Sequence, residues 1–162
     1  MDHPYLDNPE RLDALCSLGI LDTPPEQRFD RFTRIAAASL QVPIALVSLV
    51  DANRQWFKSR VGLQAMQTSR SVAFCAHTVA LRALLVIEDA SLDPRFKDNP
   101  LVTGSPFIRF YAGVPLFSRG GHALGTLCMI DTKPRTLSES ERELLSDLGS
   151  LVEDELNKPA AD

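Results

Sequence analysis

The chain has 162 residues, of which 44% are hydrophobic and 23% charged, and this composition is typical of a one-domain soluble globular protein. Its net charge of −4 excludes a general electrostatic attraction to nucleic acids or anionic membranes. The N-terminal stretch MDHPYLDNPERLD is acidic and polar and does not predict a signal peptide. No apolar run approaches the roughly 18 residues that span a bilayer. We therefore expect a cytoplasmic protein with no nucleic acid and no membrane as a partner.

The cysteines are few and far apart. Cys16, Cys75 and Cys128 are an odd set without a CxxC motif. This pattern predicts three reduced, buried thiols.

The first two predicted elements are helices. Asn8 precedes proline and glutamate in the order typical of a helix N-cap, and Gly19 suits the end of that helix. The stretch Thr23-Pro24-Pro25-Glu26 matches a capping box, which predicts a second helix that begins there. This helix should end near Gln41, because the residue before Pro43 avoids the helical region.

A hairpin and a third helix follow. Residues 44–50 are an almost unbroken apolar run, which predicts a strand buried on both faces. Residues 51–54 read as a turn and residues 55–61 as the return strand. Residues 62–70 are predicted to be a loop, and Ser71 is predicted to cap a third helix that continues to about residue 83.

The remaining elements include an unusually long connection. A short strand is predicted over residues 85–88, and the segment 89–108 is punctuated by three prolines and a glycine. A loop of this length in a compact domain often forms a lid or binding loop. Residues 109–117 and 123–130 form a second hairpin, and a capping box at Ser138 opens a long final helix. Two hairpins among helices indicate an α+β fold with an antiparallel sheet.

Periodicity also predicts the core. One helix–sheet interface should bury Phe29, Phe32, Ile35, Val47, Leu49, Phe110, Val114, Leu127, Leu148 and Val152. In the strand RFYAGVPL, alternation places Phe110 and its i+2 neighbours on the face of the terminal helices. It assigns Arg109, Tyr111 and Gly113 to the opposite face, where Tyr111 and Gly113 can serve either a pocket or plain core packing.

In this order, several stretches resemble a GAF domain of the type found in bacterial signalling proteins with histidine kinases and diguanylate cyclases. They are NPERLDALCSLGILDTPPEQRFDRF, FCAHTV, VIEDASLDPRFKDNPLVTG, RFYAGVPL and LGTLCMID. The resemblance covers residues 1–162 as one domain with a core of about 8–157. It implies a central antiparallel sheet with the terminal helices on one face. It also implies a small-molecule pocket on the other face, under the third helix and the long loop.

The stretch SVAFCAHTV places Cys75 and His77 two residues apart. On a helix they point about 200° apart, so they are not a nucleophile–base pair. Attachment of a bilin, seen in some GAF photoreceptors, is disfavoured because Ala76 separates the two residues. A metal site lacks ligands, since the other histidines are His3 and His122. We expect Cys75 to pack inward and His77 to lie at the pocket wall or the surface.

Three functions remain open, and no cofactor is indicated. The leading hypothesis is a non-catalytic sensory or regulatory module in bacterial signal transduction, which binds an unknown small molecule and acts on a signalling partner protein. The second is a thiol enzyme similar to the free-methionine sulfoxide reductases, although the cysteines lack that family's sequence surroundings. The third is a dimerisation module with a vestigial pocket. Cyclic-nucleotide binding is not supported, because the NKFDE pattern is absent.

The leading hypothesis carries further expectations. The predicted ligand-binding residues are Phe74, His77, Phe96, Arg109, Tyr111 and Cys128. Arg109 favours an anionic or polar ligand, unless a protein acid binds it and Phe96 and Phe107 fill the space. Arg95 should hold the loop through Asp89, Asp98 or loop carbonyls, or else face an anionic ligand. A homodimer through the terminal helices is expected from the resemblance, and the final Pro159 favours a stand-alone chain.

Overall fold

The structure is a computed structural model that describes residues 2–158. Within them it contains five α-helices and one six-stranded sheet. The helices are α1 (Pro9–Ser17), α2 (Gln27–Leu40), α3 (Phe74–Leu81), α4 (Pro100–Thr103) and α5 (Glu139–Leu156). The strands are β1 (Ile44–Val50), β2 (Arg54–Val61), β3 (Gln67–Ser69), β4 (Leu85–Ile87), β5 (Phe110–Phe117) and β6 (Ala123–Asp131). Pro159, on which the expected end of the chain rests, lies outside the described residues.

All strands pair antiparallel in the order β3-β2-β1-β6-β5-β4. Two hairpins, β1–β2 and β5–β6, meet where β1 pairs with β6 at the centre of the sheet. Strand β1 is buried along its whole length. The expected α+β fold with an antiparallel sheet covered on both faces is therefore confirmed.

One side of the sheet, which we call the closed face, packs against α2 and α5. Eight of the predicted core residues are buried in this layer: Phe29, Phe32, Val47, Leu49, Phe110, Leu127, Leu148 and Val152. Val114 is half-buried and also packs there. The periodicity of the sequence thus identified the main hydrophobic layer correctly.

Two residues predicted to be buried are not. Ile35 is 45% exposed, because the buried stripe of α2 includes Thr33 and Ala36, and Ile35 lies about 100° around the helix from Ala36. Cys16 is exposed on α1, whereas Cys75 and Cys128 are buried. The expectation of three buried thiols is therefore wrong for Cys16.

The predicted capping box at Thr23 is also wrong. Helix α2 begins at Gln27, and its N-cap Glu26 makes no side-chain cap hydrogen bond. Instead, the Thr23 hydroxyl donates to the Ile20 carbonyl and accepts from the buried Lys58 ammonium, 2.7 Å away. The Lys58 ammonium also forms a 2.7 Å ion pair with Glu26, so residues 23–26 are fixed to strand β2 rather than wound into a helix.

The opposite side of the sheet, which we call the pocket face, is covered by α3 and the 89–108 connection. Helix α3 begins at Phe74 rather than near Ser71, because Ser69 caps a 3-10 turn over Arg70–Val72. The preceding segment, expected to be entirely loop, contains the edge strand β3. The long connection contains another 3-10 turn, Ala90–Leu92, and the short helix α4.

Hydropathy also bears on the membrane question. Across residues 2–158, no helix combines the length and apolar character needed to cross a membrane.

Candidate functional site: a cavity with a thiol pair at its floor

A cavity of about 240 Å³ lies between the sheet, α3 and the long connection. Its walls come from elements far apart in the sequence. The lining residues are Ile44, Leu46, Gln55, Phe57, Leu63, Ala65, Thr68, Phe74, Cys75, Leu101, Ser105, Pro106, Ile108, Tyr111 and Ile130. This location agrees with the pocket side that strand alternation predicted.

The cavity runs from an exposed rim to a buried floor. Ala65 and Ser105 at the rim are exposed, whereas Cys75 and Tyr111 at the floor are buried. Most of the wall is apolar, and the lining within the described residues includes no charged side chain. A mostly apolar cavity with a few polar groups has the composition of a small-molecule site.

Polar side chains on the pocket face form one short hydrogen-bonded chain near the outer strands. The Ser48 hydroxyl donates to Gln55 Oε1 over 3.1 Å, and Gln55 Nε2 donates to the Thr68 hydroxyl over 2.7 Å. Ser48 and Gln55 are buried, so these bonds satisfy groups that would otherwise be costly inside the protein. Gln55 and Thr68 also line the cavity and present an amide and a hydroxyl to its contents.

The Cys75 thiol is the centre of a second polar cluster. Its Sγ atom lies 3.7 Å from Cys128 Sγ and accepts from the Thr126 hydroxyl at 3.1 Å and the Tyr111 hydroxyl at 3.5 Å. The Tyr111 and Thr78 hydroxyls are 2.8 Å apart. Because a hydroxyl carries one hydrogen, Thr78 must donate to Tyr111 when Tyr111 donates to Cys75. All five side chains are buried.

This cluster makes the two thiols unequal. Burial raises the pKa of Cys75, but its hydrogen bonds with Cys128, Thr126 and Tyr111 lower it by more, and the resulting pKa is about 7, below the ordinary value. The pKa of Cys128 is raised well above its ordinary value, first by its hydrogen bond with Cys75 and then by burial. Burial, with the neighbouring thiols, also raises the pKa of Tyr111. Cys75 is therefore the thiol that ionises first.

Two of the predicted ligand-binding residues, Phe74 and Tyr111, line the cavity directly. Phe96 lies behind Phe74, with the two rings stacked at a centroid distance of 4.2 Å. Cys128 lies beside Cys75 but does not itself line the cavity. A Cβ atom at Gly113 would overlap the Tyr111 hydroxyl, so the missing side chain makes room for that ring rather than for a ligand.

His77 lies outside the cavity lining. Its ring is 4.5 Å from that of Phe96, and the side chain is half-buried. Burial lowers the pKa of His77 to about 4, and the nearby Arg95 cation lowers it further. The imidazole is therefore neutral at physiological pH, consistent with the expected position at the wall or surface.

The two predicted arginines hold the covering connection instead of facing the cavity. Arg109 Nη1 donates to the carbonyls of Val102 and Ile108, both at 2.9 Å, and no carboxylate within residues 2–158 forms an ion pair with it. Arg95 pairs with Asp93 at 2.7 Å, not with Asp89 or Asp98 as expected.

Phe107 does not fill the cavity either. It is 50% exposed, so the alternative in which Phe96 and Phe107 fill the cavity does not hold. Phe96 is buried behind Phe74 and leaves the cavity open.

Sequence reasoning missed several lining residues, above all Gln55, Thr68 and Leu101. Gln55 could have been found from the sequence, because it alternates with Phe57 on a strand next to an almost entirely apolar one. Thr68 carried none, because its segment was predicted to be a loop. Residues 2–158 also contain no group of three His, Cys, Asp or Glu side chains able to hold a metal ion.

Comparison with known proteins now gives the class of this protein. The GAF domain family model matches residues 24–156, and the chain therefore belongs to the GAF domain family. This confirms the resemblance seen in the sequence motifs.

One curated relative is the cyclic di-GMP phosphodiesterase PA2567 of Pseudomonas aeruginosa, 43% identical over 136 residues. The match covers 83% of this chain but only 23% of that protein. The chain thus spans about a quarter of the length of the curated relative it matches.

Solved structures agree on the fold. The GAF domain of an Acinetobacter phosphoenolpyruvate-protein phosphotransferase superposes with a TM-score of 0.67 at 19% identity, covering 91% of this chain and 93% of that one. The free methionine-R-sulfoxide reductase of Neisseria meningitidis, in complex with its substrate, gives a TM-score of 0.65 at 16% identity, covering 90% and 87%. At such low identity these structures show the fold alone.

Proposed function

We propose that this chain is a non-catalytic sensory or regulatory module of bacterial signal transduction that binds a small, uncharged, largely apolar molecule in the cavity. The observation that carries the proposal is the cavity itself. An engineered cavity of about 150 Å³ holds benzene, so a cavity of about 240 Å³ has room for a substituted or fused ring. Beyond its bond to Thr68, the Gln55 amide has a second N–H to donate, and the Thr68 and Tyr111 oxygens can each accept a further hydrogen bond from such a molecule.

The lining changes the ligand class expected from the sequence. Arg109 is engaged with main-chain carbonyls, so no cation is available in the cavity for a carboxylate or phosphate. Cyclic di-GMP, named for the Pseudomonas relative, carries two nucleosides and two phosphates and matches neither the size nor the polarity of this cavity. A regulatory role beside the catalytic part of such a protein is consistent with the quarter of its length that matches.

The same lining disfavours the enzymatic alternative. Free methionine sulfoxide carries an ammonium and a carboxylate, and the cavity offers no charged partner to either group. We propose the cytoplasm as the location, in line with a chain of only three cysteines that form no paired framework in the sequence.

A homodimer through the terminal helices remains part of the proposal. Ile35 on α2 and Leu151 on α5 are 45% and 48% exposed, and a second copy packed on these helices would cover them. A signalling partner is the alternative occupant of this surface. Light scattering at high micromolar concentration distinguishes the two, since a monomer there contradicts the homodimer.

Ligand binding is tested by thermal unfolding with indole as an uncharged probe and indole-3-acetate as its charged counterpart. At a free concentration of ten times its Kd, a probe that binds the folded chain adds about 1.4 kcal/mol to the free energy of unfolding. This corresponds to a Tm increase of roughly 3–6 °C in a domain of this size. We expect indole to raise the Tm and indole-3-acetate to leave it unchanged.

Leu63→Trp, which fills the cavity, should abolish the indole effect. The matched control is Leu81→Trp at the exposed end of α3, which should keep it. If neither indole nor other uncharged ring compounds raise the Tm of the native chain, the proposal fails and the dimerisation module replaces it. A response to the charged probe alone would restore the anionic ligand class.

A further inference from the structure

The thiol pair at the cavity floor has a feature that ligand binding does not explain. Buried cysteines usually pack as small hydrophobic side chains, and a thiol sulfur is a weak hydrogen-bond acceptor. Cys75 Sγ nevertheless receives two hydroxyl donors and lies 3.7 Å from a second thiol. Donors that converge on one sulfur stabilise a thiolate more than a thiol.

Access to the two sulfurs differs. Cys75 is buried but lines the cavity, whose rim at Ala65 and Ser105 is exposed, so a small molecule that enters the cavity comes into contact with this residue. Cys128 does not line the cavity and lies behind Cys75 on strand β6. The geometry thus places Cys75 at the cavity and Cys128 behind it, next to the Cys75 sulfur.

The two sulfurs are also close enough to bond. A disulfide requires an S–S distance of about 2 Å. The present distance of 3.7 Å exceeds this by less than 2 Å, so the two sulfurs are already neighbours and closure needs only a short approach of one to the other.

We propose that Cys75 and Cys128 are a redox pair, in which a hydroperoxide that enters the cavity oxidises Cys75 and Cys128 then closes an intramolecular disulfide. In the first step the Cys75 thiolate attacks the terminal peroxide oxygen. An S–O bond forms, the O–O bond breaks, and the leaving alkoxide takes up the proton that Cys75 released. The products are an alcohol, or water from hydrogen peroxide, and a Cys75 sulfenic acid.

In the second step Cys128 attacks the sulfur of Cys75. The S–S bond forms, the S–O bond breaks, and the hydroxide leaves as water with the proton of Cys128. The two thiols lose two electrons, and the hydroperoxide gains them. A dithiol reductant returns the pair to its starting state. This inference depends on the thiols and their access alone and stands whether or not the cavity binds a ligand.

The surroundings suit an organic hydroperoxide as well as hydrogen peroxide. The wall above Cys75 is apolar and accepts an alkyl or aryl group, while the Thr126 and Tyr111 hydroxyls hold the sulfur as the attacking thiolate. Cumene hydroperoxide is therefore a suitable probe beside hydrogen peroxide. Disulfide formation would remove the thiolate to which these hydroxyls donate and so alter the cavity floor.

The central test uses the Cys16→Ser variant, which removes the exposed thiol. The folded protein is treated with each peroxide, denatured with an alkylating reagent and weighed by mass spectrometry. We expect a species 2 Da lighter, with no alkylated cysteine and a peptide that links Cys75 to Cys128. Dithiothreitol should restore two alkylatable thiols. Two free thiols after a tenfold excess of both peroxides, with the protein still folded, would overturn the proposal.

The order of attack has its own test. Cys128→Ser in the same background should stop at a Cys75 sulfenic acid that dimedone traps, and Cys75→Ser should give no adduct at Cys128. Trapping at Cys128 would contradict the assigned order. If either serine variant fails to fold, the corresponding alanine variant is used. The cross-linked peptide of the Cys16→Ser protein shows which two cysteines pair and requires no substitution in the core.

Thr126 acts as a positioning residue, and a pH profile reveals this role. The rate of Cys75 oxidation should rise through a midpoint near pH 7. In Thr126→Val, the midpoint should move upward, and a one-unit rise leaves about fivefold less thiolate at pH 7. A purely structural role for Thr126 would change stability without moving the midpoint. An unchanged midpoint in the folded variant would contradict this role.

Discussion

The two faces of the sheet are built from the same strands and differ in what fills the space above them. On the closed face, α2 and α5 pack apolar side chains against the sheet. On the pocket face, the same strands carry Ser48, Thr126 and Cys128, which belong to hydrogen-bonded groups next to the cavity. Alternation makes this possible, since neighbouring residues of a strand face opposite sides.

The contrast shows how the domain separates stability from chemistry. Close packing on the closed face supplies dispersion and hydrophobic stabilisation. A cavity forfeits part of both, and each buried polar group near it needs a partner. The pocket face meets this need with Ser48, Gln55 and Thr68 in one chain, and with Thr78, Tyr111 and Cys75 in the other.

The prediction with the largest expected effect on stability compares two leucines of adjacent strands, one on each face. Leu127 on the closed face is 0% exposed, and Leu46 at the cavity is 2% exposed. Leu127→Ala should lower the free energy of unfolding by about 3–5 kcal/mol, as truncation in a filled core leaves a new void. Leu46→Ala should cost only about 2–3 kcal/mol, because one side of Leu46 already faces empty space.

Urea unfolding of both variants measures the difference. Leu46→Val serves as a milder control and should fall between Leu46→Ala and the native chain. Equal losses for the two alanine variants would mean that the cavity is closed in solution and that the faces do not differ in packing.

The closed face was largely predictable from the sequence, for a physical reason. Its residues belong to long elements with sustained periodicity, such as Phe29 and Phe32 on α2 or Leu148 and Val152 on α5. Errors arose where local rules competed with tertiary contacts. Thr23 does not cap helix α2, because its hydroxyl accepts a hydrogen bond from Lys58, which is distant in the sequence.

The pocket face was predictable only in outline. Alternation in strand β5 correctly placed Tyr111 on that side. The approach of Cys75 to Cys128 was not predictable, because it depends on how α3 lies across β6, and neither element's pattern encodes this distance. The position of the Arg109 side chain was not predictable for a related reason. The carbonyls that bind it belong to the long connection, whose path no local sequence rule determines.

The second prediction concerns acid sensitivity of the pocket face. Burial lowers the pKa of His77 to about 4, below the unfolded value of about 6.5. Between these values the unfolded chain binds more protons than the folded chain, so folding stability should fall as the pH drops from 6.5 toward 4. His77→Gln removes this contribution and should flatten that part of the pH–stability curve.

Urea unfolding at several pH values gives the curve, and NMR titration of the His77 ring gives its pKa directly. Because the ring is half-buried, the stability effect should be smaller than that of either leucine truncation. A ring that titrates near 6.5 in the folded protein would show that the packing against Phe96 does not exclude water.

The smallest effect is expected for Arg95→Ala in the connection that covers the cavity. The Arg95–Asp93 pair is 2.7 Å long, but the arginine side chain is 47% exposed, and exposed ion pairs contribute at most about 1 kcal/mol. The Tm should therefore fall by no more than roughly 4 °C without ligand. Lys97→Ala, which removes an exposed cation from the same segment, should change it less. Unchanged stability combined with weaker indole binding would instead assign Arg95 to ligand recognition.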